Sequence, residues 1–176
     1  MPVTLNLTDL MDYTEWERQK WQSWFKQQGD QALATTTVPH SGDRFKTVGD
    51  IIKHIFSAEM RYIDRLSNRP LSDPAFVPSD NSEALFQFGA QSRGALRKFI
   101  DIFPAQEWDT IRELDFFGGL LRATPKKIVT HVLLHETRHW AQIATILRMN
   151  GLKDDMHDFI FTPVLGGELI RNKAKS

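Results

Sequence analysis

The spacing of apolar residues along the chain predicts four long helices and no regular sheet. In each stretch the apolar side chains recur three or four positions apart, which is the period of an amphipathic α-helix. The stretches are separated by Pro-, Gly-, Ser- and Asp-rich loops of about 12–25 residues, which is long for a bundle. The predicted helices cover residues 8–28, 47–66, 82–103 and 124–150, and a tail at 152–176 is expected to wrap them.

Capping signals support these helix ends. Thr47 is followed three positions later by Asp50, as in a capping box, and Thr124 precedes a proline at the first helical position. Gly151 follows the fourth helix, where a glycine commonly ends one. A chain of 176 residues fits a single domain, residues 1–176, and the fold class is all-α. The other N-cap candidates are Asn6 or Thr8 for the first helix and Asn81 or Ser82 for the third.

Three histidines lie where apolar core residues are expected. His135 and His139 are four positions apart and share one face of the fourth helix, where they and Gln142 extend its apolar stripe. His54 lies on the inward face of the second helix. Buried imidazoles without partners are costly, and one cation satisfies all three. We therefore hypothesise that His54, His135 and His139 bind a divalent metal ion and leave a coordination position open.

The other histidines carry less of this hypothesis. His131 lies at the edge of the same stripe, either as a neighbour of the metal ligands or substrate, or simply packed against another helix. His40 is expected to be a solvated loop residue. His157 is expected to be exposed in the tail, with closure over the site as the alternative.

Residues 135–139 also match the HExxH pattern of zinc metallopeptidases, in which the glutamate acts as general base. That interpretation requires a third ligand downstream, where His157, Glu168 and other acidic residues of the tail are candidates, and usually a strand edge that aligns the peptide. No strand edge is evident in the sequence. We therefore disfavour a peptidase and expect Glu136 on the solvent side of the helix or near the metal ligands.

Composition narrows the chemistry. The chain has 22 basic and 22 acidic residues, and this neutral charge argues against a nucleic-acid-binding protein. It has no cysteine, which excludes disulfides, iron–sulfur clusters and a protein thiol nucleophile. Any metal site must use nitrogen and oxygen ligands, and any reactive sulfur must come from outside. The sequence has no targeting signal or membrane-spanning stretch, so we expect a cytoplasmic protein.

Packing and surface charge are the first explanations of the aromatic and basic residues. The five tryptophans and twelve phenylalanines mainly indicate core and loop packing, although Trp140 and the pair Phe116–Phe117 are candidate pocket walls. Scattered surface charge is the first interpretation of four basic residues, and contact with an anionic substrate is the second. These residues are Lys126, Lys127, Arg138 and Arg148.

Two segments resemble the DinB/YfiT family of metal-binding four-helix bundles. The second helix carries His54 in the segment KHIFSAE, and the fourth carries HVLLHETRHWAQ from His131 to Gln142. The family pattern there is similar to HVxNHxxHHRGQ. This chain has Arg138 where histidine is common and Trp140–Ala141 in place of Arg-Gly, but it keeps the glutamine. The similarity extends over about residues 5–150 and implies an up-down-down-up bundle.

The resemblance also implies a function. It assigns His54, His135 and His139 as ligands of a zinc, nickel or manganese ion. Relatives are often homodimers and include transferases and isomerases that use bacillithiol, mycothiol or glutathione. A three-histidine ion with an open position either activates water or lowers the pKa of a bound thiol. The hypotheses are therefore a thiol-dependent transferase or isomerase acting on a small molecule, a metal-dependent hydrolase, and a non-catalytic metal-binding stress-response protein.

Overall fold

Four long helices and one β-hairpin form the part of the chain that the computed structural model describes, residues 6–37, 44–116 and 118–167. The helices are α1 (Leu7–Gln28), α2 (Val48–Leu66), α3 (Ser82–Ile102) and α4 (Pro125–Met149). The hairpin strands are β1 (Arg112–Phe116) and β2 (Gly119–Ala123). Every predicted helix is present, and each predicted end lies within one residue of the observed one.

Side-chain caps determine where the helices begin. Thr47 and Asp50 form the predicted capping box, in which Thr47 Oγ1 accepts the N–H of Asp50 at 3.2 Å and Asp50 Oδ2 accepts the N–H of Thr47 at 3.1 Å. Thr124 caps α4 by accepting the N–H of Lys127 at 3.1 Å. After α4, Gly151 adopts a φ of 79°, which favours glycine. The N-caps of α1 and α3 are Asn6 and Asn81.

The helices pack so that α1 and α2, although consecutive in sequence, lie across the bundle from each other. Both make their main helix contacts with α3 and α4. Aromatic rings fill the centre: Trp140 stacks nearly parallel to Trp21 at 5.4 Å and to Phe86 at 6.3 Å. The predicted role of the aromatics in core packing is confirmed for these three residues. The prediction of Trp140 as a pocket wall is wrong, because its side chain is fully buried.

The hairpin corrects the prediction that the chain has no regular sheet. β1 and β2 pair antiparallel, with Leu114 opposite Leu121 and Phe116 opposite Gly119. The connection includes Gly118 at a φ of 75°, the backbone conformation that tight hairpin turns require. Leu114 and Ala123 are buried against side chains of α3 and α4, so the hairpin covers one end of the core.

The described part of the tail packs along α1. The ring of His157 stacks on Trp21 at a centroid distance of 4.3 Å, and Trp24 Nε1 donates to the carbonyl oxygen of Lys153 at 2.9 Å. The prediction that His157 is exposed is therefore wrong, since both of its ring nitrogens are buried. The prediction for His40 falls outside the described residues. None of the described helices combines the length and apolarity that crossing a membrane requires.

Candidate metal centre

Three histidines from two packed helices converge on one point. His54 projects from α2, and His135 and His139 project from successive turns of α4. The Nε2 atom of His135 lies 3.1 Å from Nε2 of His54 and 3.2 Å from Nε2 of His139. No other group of three potential ligand side chains gathers in this way within the described ranges. The structure thus brings together the three residues that the sequence singled out.

Hydrogen bonds between these rings cannot satisfy their nitrogens. Nδ1 of His139 lies 2.9 Å from Oε1 of Gln142. Because that oxygen accepts, Nδ1 carries the hydrogen, and Nε2 of the neutral ring presents a lone pair. His135 Nε2 faces two other Nε2 atoms, yet a ring nitrogen has either one hydrogen or one lone pair. If all three Nε2 atoms direct lone pairs at one cation, each nitrogen has a partner.

The spacing of the nitrogens fits a metal ion. Zinc binds imidazole nitrogens at about 2.0–2.1 Å in tetrahedral geometry, which places two ligand nitrogens about 3.3 Å apart. The two Nε2 separations of 3.1 and 3.2 Å are close to that value. The donor set also suits the ion, since neutral imidazole binds zinc, nickel and other first-row metals. The residues therefore fit a divalent ion held by three nitrogens.

Electrostatics keep these imidazoles neutral, as ligation requires. Burial, followed by His139, Arg44 and Arg138, lowers the pKa of His54 to about 4. Burial and then the neighbouring histidines lower the pKa of His135 to about 3. Burial also lowers the pKa of His139, against an opposing effect of the Gln142 hydrogen bond. At neutral pH the three rings are uncharged, and their lone pairs are free to bind a cation.

Other residues surround the cluster without joining it. The ring of Phe45, just before α2, lies 5.0 Å from that of His54 and 5.9 Å from that of His139. His131 is exposed, and its ring lies 5.6 Å from that of His135 and 5.4 Å from that of Tyr62. His131 is thus beside the histidine cluster, and Gln142 contacts one of its members directly.

Glu136 is neither on the solvent side nor in contact with the three histidines. It is 1% exposed, and its Oε2 accepts from Arg18 Nη2 at 2.9 Å and from Arg93 Nη2 at 2.7 Å. Trp140 Nε1 donates to its Oε1 at 3.0 Å. Burial raises its pKa, but the two guanidinium groups outweigh burial and hold the pKa below its usual value. The expectation of a solvent-side Glu136 is therefore wrong.

Glu136 is part of a buried ionic group with one member from each helix. Glu59 of α2 lies 3.0 Å from Arg18 of α1 and 3.2 Å from Arg93 of α3, and Glu136 comes from α4. We call these four residues the four-helix clamp. Glu59 follows His54 by five positions, and Glu136 directly follows His135. The clamp therefore fixes the rotation of the two helices that carry the histidines.

This geometry weighs against the peptidase interpretation of HExxH. The hairpin does supply a strand edge, but the glutamate points into the core. Among the described residues, no Asp or Glu side chain joins the histidine cluster. The general base that a peptidase requires is thus not provided by Glu136.

Two features of this site were not predicted from the sequence. Glu136 lies between Leu133 and Trp140 on a buried face of α4, so a helical projection of the sequence contained the signal for its burial. Arg44 and Phe45 lie in a segment before α2 that has no periodicity, and no sequence pattern indicated that they reach the histidines.

Comparison with known proteins agrees with this architecture. The model of the DinB family matches residues 1–166 of the chain. Among solved structures, the chain is similar to a DinB-like protein from Bacillus cereus, with a TM-score of 0.60 and 17% sequence identity over 80% of this chain and 89% of that chain. At this identity the likeness shows the fold, and the predicted four-helix bundle is confirmed. Among curated proteins, none matches the chain. On the extent of the family match, the chain belongs to the DinB family.

Proposed function

We propose that His54, His135 and His139 hold a divalent metal ion and that the protein is a metal-dependent transferase using a low-molecular-weight thiol. One observation carries this proposal: three neutral imidazole nitrogens converge, and no carboxylate joins them among the described residues. The proposed metals are zinc, nickel and manganese. A divalent ion held there supplies Lewis acidity, which lowers the pKa of a thiol beside it.

The chain's own residues have distinct roles in this proposal. The three histidines hold the ion, and Gln142 orients the ring of His139 through the hydrogen bond to Nδ1. Phe45 is 8% exposed and shields the cluster on one side. The chain contains no cysteine, so the attacking sulfur comes from the cosubstrate. In the transfer, the sulfur bonds to an electrophilic carbon, the leaving group departs with its bonding electrons, and the thiol proton passes to solvent.

The surroundings of the cluster favour this activity over hydrolysis. Glu136, the residue best placed in sequence to act as a base, is engaged with Arg18 and Arg93 in the core. The charged side chains that shift the pKa of His54 and His139 are arginines. Positive charge around the open position favours an anionic nucleophile such as a thiolate. A thiol-dependent isomerase would use the same site and begin with the same attack.

Metal binding is tested with a pair of alanine variants on one helix. His135→Ala is expected to weaken metal binding more than about 100-fold, because even the loss of a residue that only orients a ligand costs about 10–100-fold. The matched control is His131→Ala, one turn earlier on α4 and exposed, which should retain wild-type affinity. The measurement is competition with a chromophoric chelator, supported by elemental analysis. Equal affinity of the two variants would refute the site.

Thiol dependence is tested next on the metal-loaded wild-type protein. Conjugation of chlorodinitrobenzene should require an added thiol, releasing chloride as the sulfur–carbon bond forms, and should disappear in His135→Ala. Ester hydrolysis that is indifferent to thiol would instead identify a hydrolase. Tight metal binding with neither activity would leave a non-catalytic metal-binding protein.

A further inference from the structure

Two arginines beside the histidine cluster have no carboxylate partner. Among the described residues, neither Arg44 nor Arg138 lies within ion-pair distance of an Asp or Glu side chain. Both are exposed. Most other arginines in the described ranges do have such a partner, the exceptions being Arg61 and Arg65; the paired ones are Arg18, Arg69, Arg93, Arg97, Arg112, Arg122 and Arg148.

Both guanidinium groups act on the histidines. Arg44 Nη2 lies 3.4 Å from His54 Nε2, and Arg44 Cζ lies 5.0 Å from the centre of the Phe45 ring, which itself packs on His54. Arg138 lies on α4, three residues after His135 and one before His139, so its exposed charge is carried by the same helix turn as these two rings. Two positive charges from different segments of the chain therefore adjoin the same cluster.

The contact between Arg44 and His54 conflicts with metal binding. His54 Nε2 is the atom that faces the other two histidines, and it has one lone pair. Once a metal ion takes that lone pair, Arg44 loses its acceptor and faces a charge of its own sign. An anionic group next to the ion gives the guanidinium a new partner and reduces the repulsion.

We propose that the site selects anionic ligands, with Arg44 and Arg138 binding an acidic group of the small molecule whose donor atom occupies the open metal position. This inference rests on the proposed function and specifies its cosubstrate as a thiol that carries a carboxylate close to the sulfur. The planar guanidinium suits this role, because it donates two parallel hydrogen bonds to a carboxylate.

The test uses two small thiols that differ in charge. Mercaptoacetate and 2-mercaptoethanol have the same chain length, but only mercaptoacetate carries a carboxylate. Each is titrated into protein loaded with cobalt(II), whose absorption spectrum reports thiol binding without any turnover. A carboxylate also chelates metal ions by itself, so the decisive comparison is between protein variants.

Arg44→Gln and Arg138→Gln are each expected to weaken mercaptoacetate binding at least about tenfold, the lower range for a charge-assisted hydrogen bond. Both variants should bind 2-mercaptoethanol within about twofold of wild type, since that thiol has no group for the arginines. The matched control is Arg122→Gln, which removes the same charge from an exposed hairpin pair and should change neither affinity. Added salt should weaken mercaptoacetate binding more than 2-mercaptoethanol binding.

The outcomes separate this inference from the function on which it rests. Unchanged mercaptoacetate affinity in both arginine variants, with cobalt(II) and thiol still bound, overturns the anion selectivity alone. An equal loss of affinity for the two thiols also overturns the anion selectivity, because the arginines would then act on the histidine cluster and not on the acidic group. Failure of the wild-type protein to bind cobalt(II) overturns the metal site and this inference with it.

Discussion

Replacing Glu136 with glutamine tests the four-helix clamp. Glu136 is 1% exposed and accepts hydrogen bonds from Arg18 and Arg93 through one carboxylate oxygen, at 2.9 and 2.7 Å. Removing one member of a buried ion pair typically costs about 3–5 kcal/mol, because the other charge is left uncompensated. Glu59 still pairs with both arginines, at 3.0 and 3.2 Å, so we expect the lower end, about 3 kcal/mol.

The assay is urea unfolding followed by circular dichroism. With a slope of about 2 kcal/mol per molar urea, a loss of about 3 kcal/mol lowers the midpoint by about 1.5 M. The slope itself should not change. The matched control is Glu113→Gln, which breaks a pair with Arg122 at 3.3 Å in which both side chains are more than half exposed. Such surface pairs contribute about 0–1 kcal/mol.

Lowering the pH should reduce the difference in urea midpoint between Glu136→Gln and the wild-type protein. The folded-state pKa of Glu136 lies below its ordinary 4.5, so its charge stabilises the fold fully above that pH. This contribution is lost as the pH falls through the folded-state pKa. The reasoning is refuted if Glu136→Gln at neutral pH lowers the midpoint no more than Glu113→Gln does.

Two further predictions concern stability. Burial, followed by the charge of Glu136, raises the pKa of Glu17 to about 8 from 4.5, so wild-type stability should fall between about pH 5 and 8, and Glu17→Gln should flatten that dependence. Urea midpoints at pH 5, 6.5 and 8 measure this; parallel profiles for the two proteins would contradict it. On α3, Gly94→Ala should stabilise the protein by about 0.5–1 kcal/mol, because no other atom lies within 4 Å of the added Cβ. Gly89→Ala on the same helix should destabilise the protein by about 1–3 kcal/mol, because its Cβ would lie 2.8 Å from the ring of Phe56. Thermal unfolding compares the two variants, and equal shifts of their unfolding temperatures would contradict this packing.

The sequence predicted the helices well because their signals are local. A capping box such as Thr47–Asp50 and an apolar repeat extend over a few residues and need no knowledge of the rest of the fold. The hairpin gave a weaker signal. Its strands have five residues each and bury little more than Leu114 and Ala123, so the alternation of apolar and polar residues is too short to recognise. Its pairing depends on covering the end of a core that other segments form.

In the candidate site too, residues with a local pattern could be predicted, and contacts between distant segments could not. His135 and His139 share a helix face at a fixed spacing, and His54 interrupts an apolar stripe, so all three could be identified from periodicity. The residues that surround the three histidines could not be identified in this way. Arg44 reaches His54 from a segment without a repeat. The position of Glu136 is determined by Arg18 and Arg93, which are more than forty residues away in sequence on helices whose relative rotation only the packed structure defines.

The four-helix clamp restricts how this protein can diverge from its relatives. Each of its charges comes from a different helix, so a neutral substitution at one position leaves the remaining three buried charges unbalanced. We expect these four positions to change together or not at all. Arg44 and Arg138 carry no such linkage, and each can be replaced singly without leaving a buried charge. The surroundings of the histidine cluster can therefore change while the inherited helix arrangement is kept.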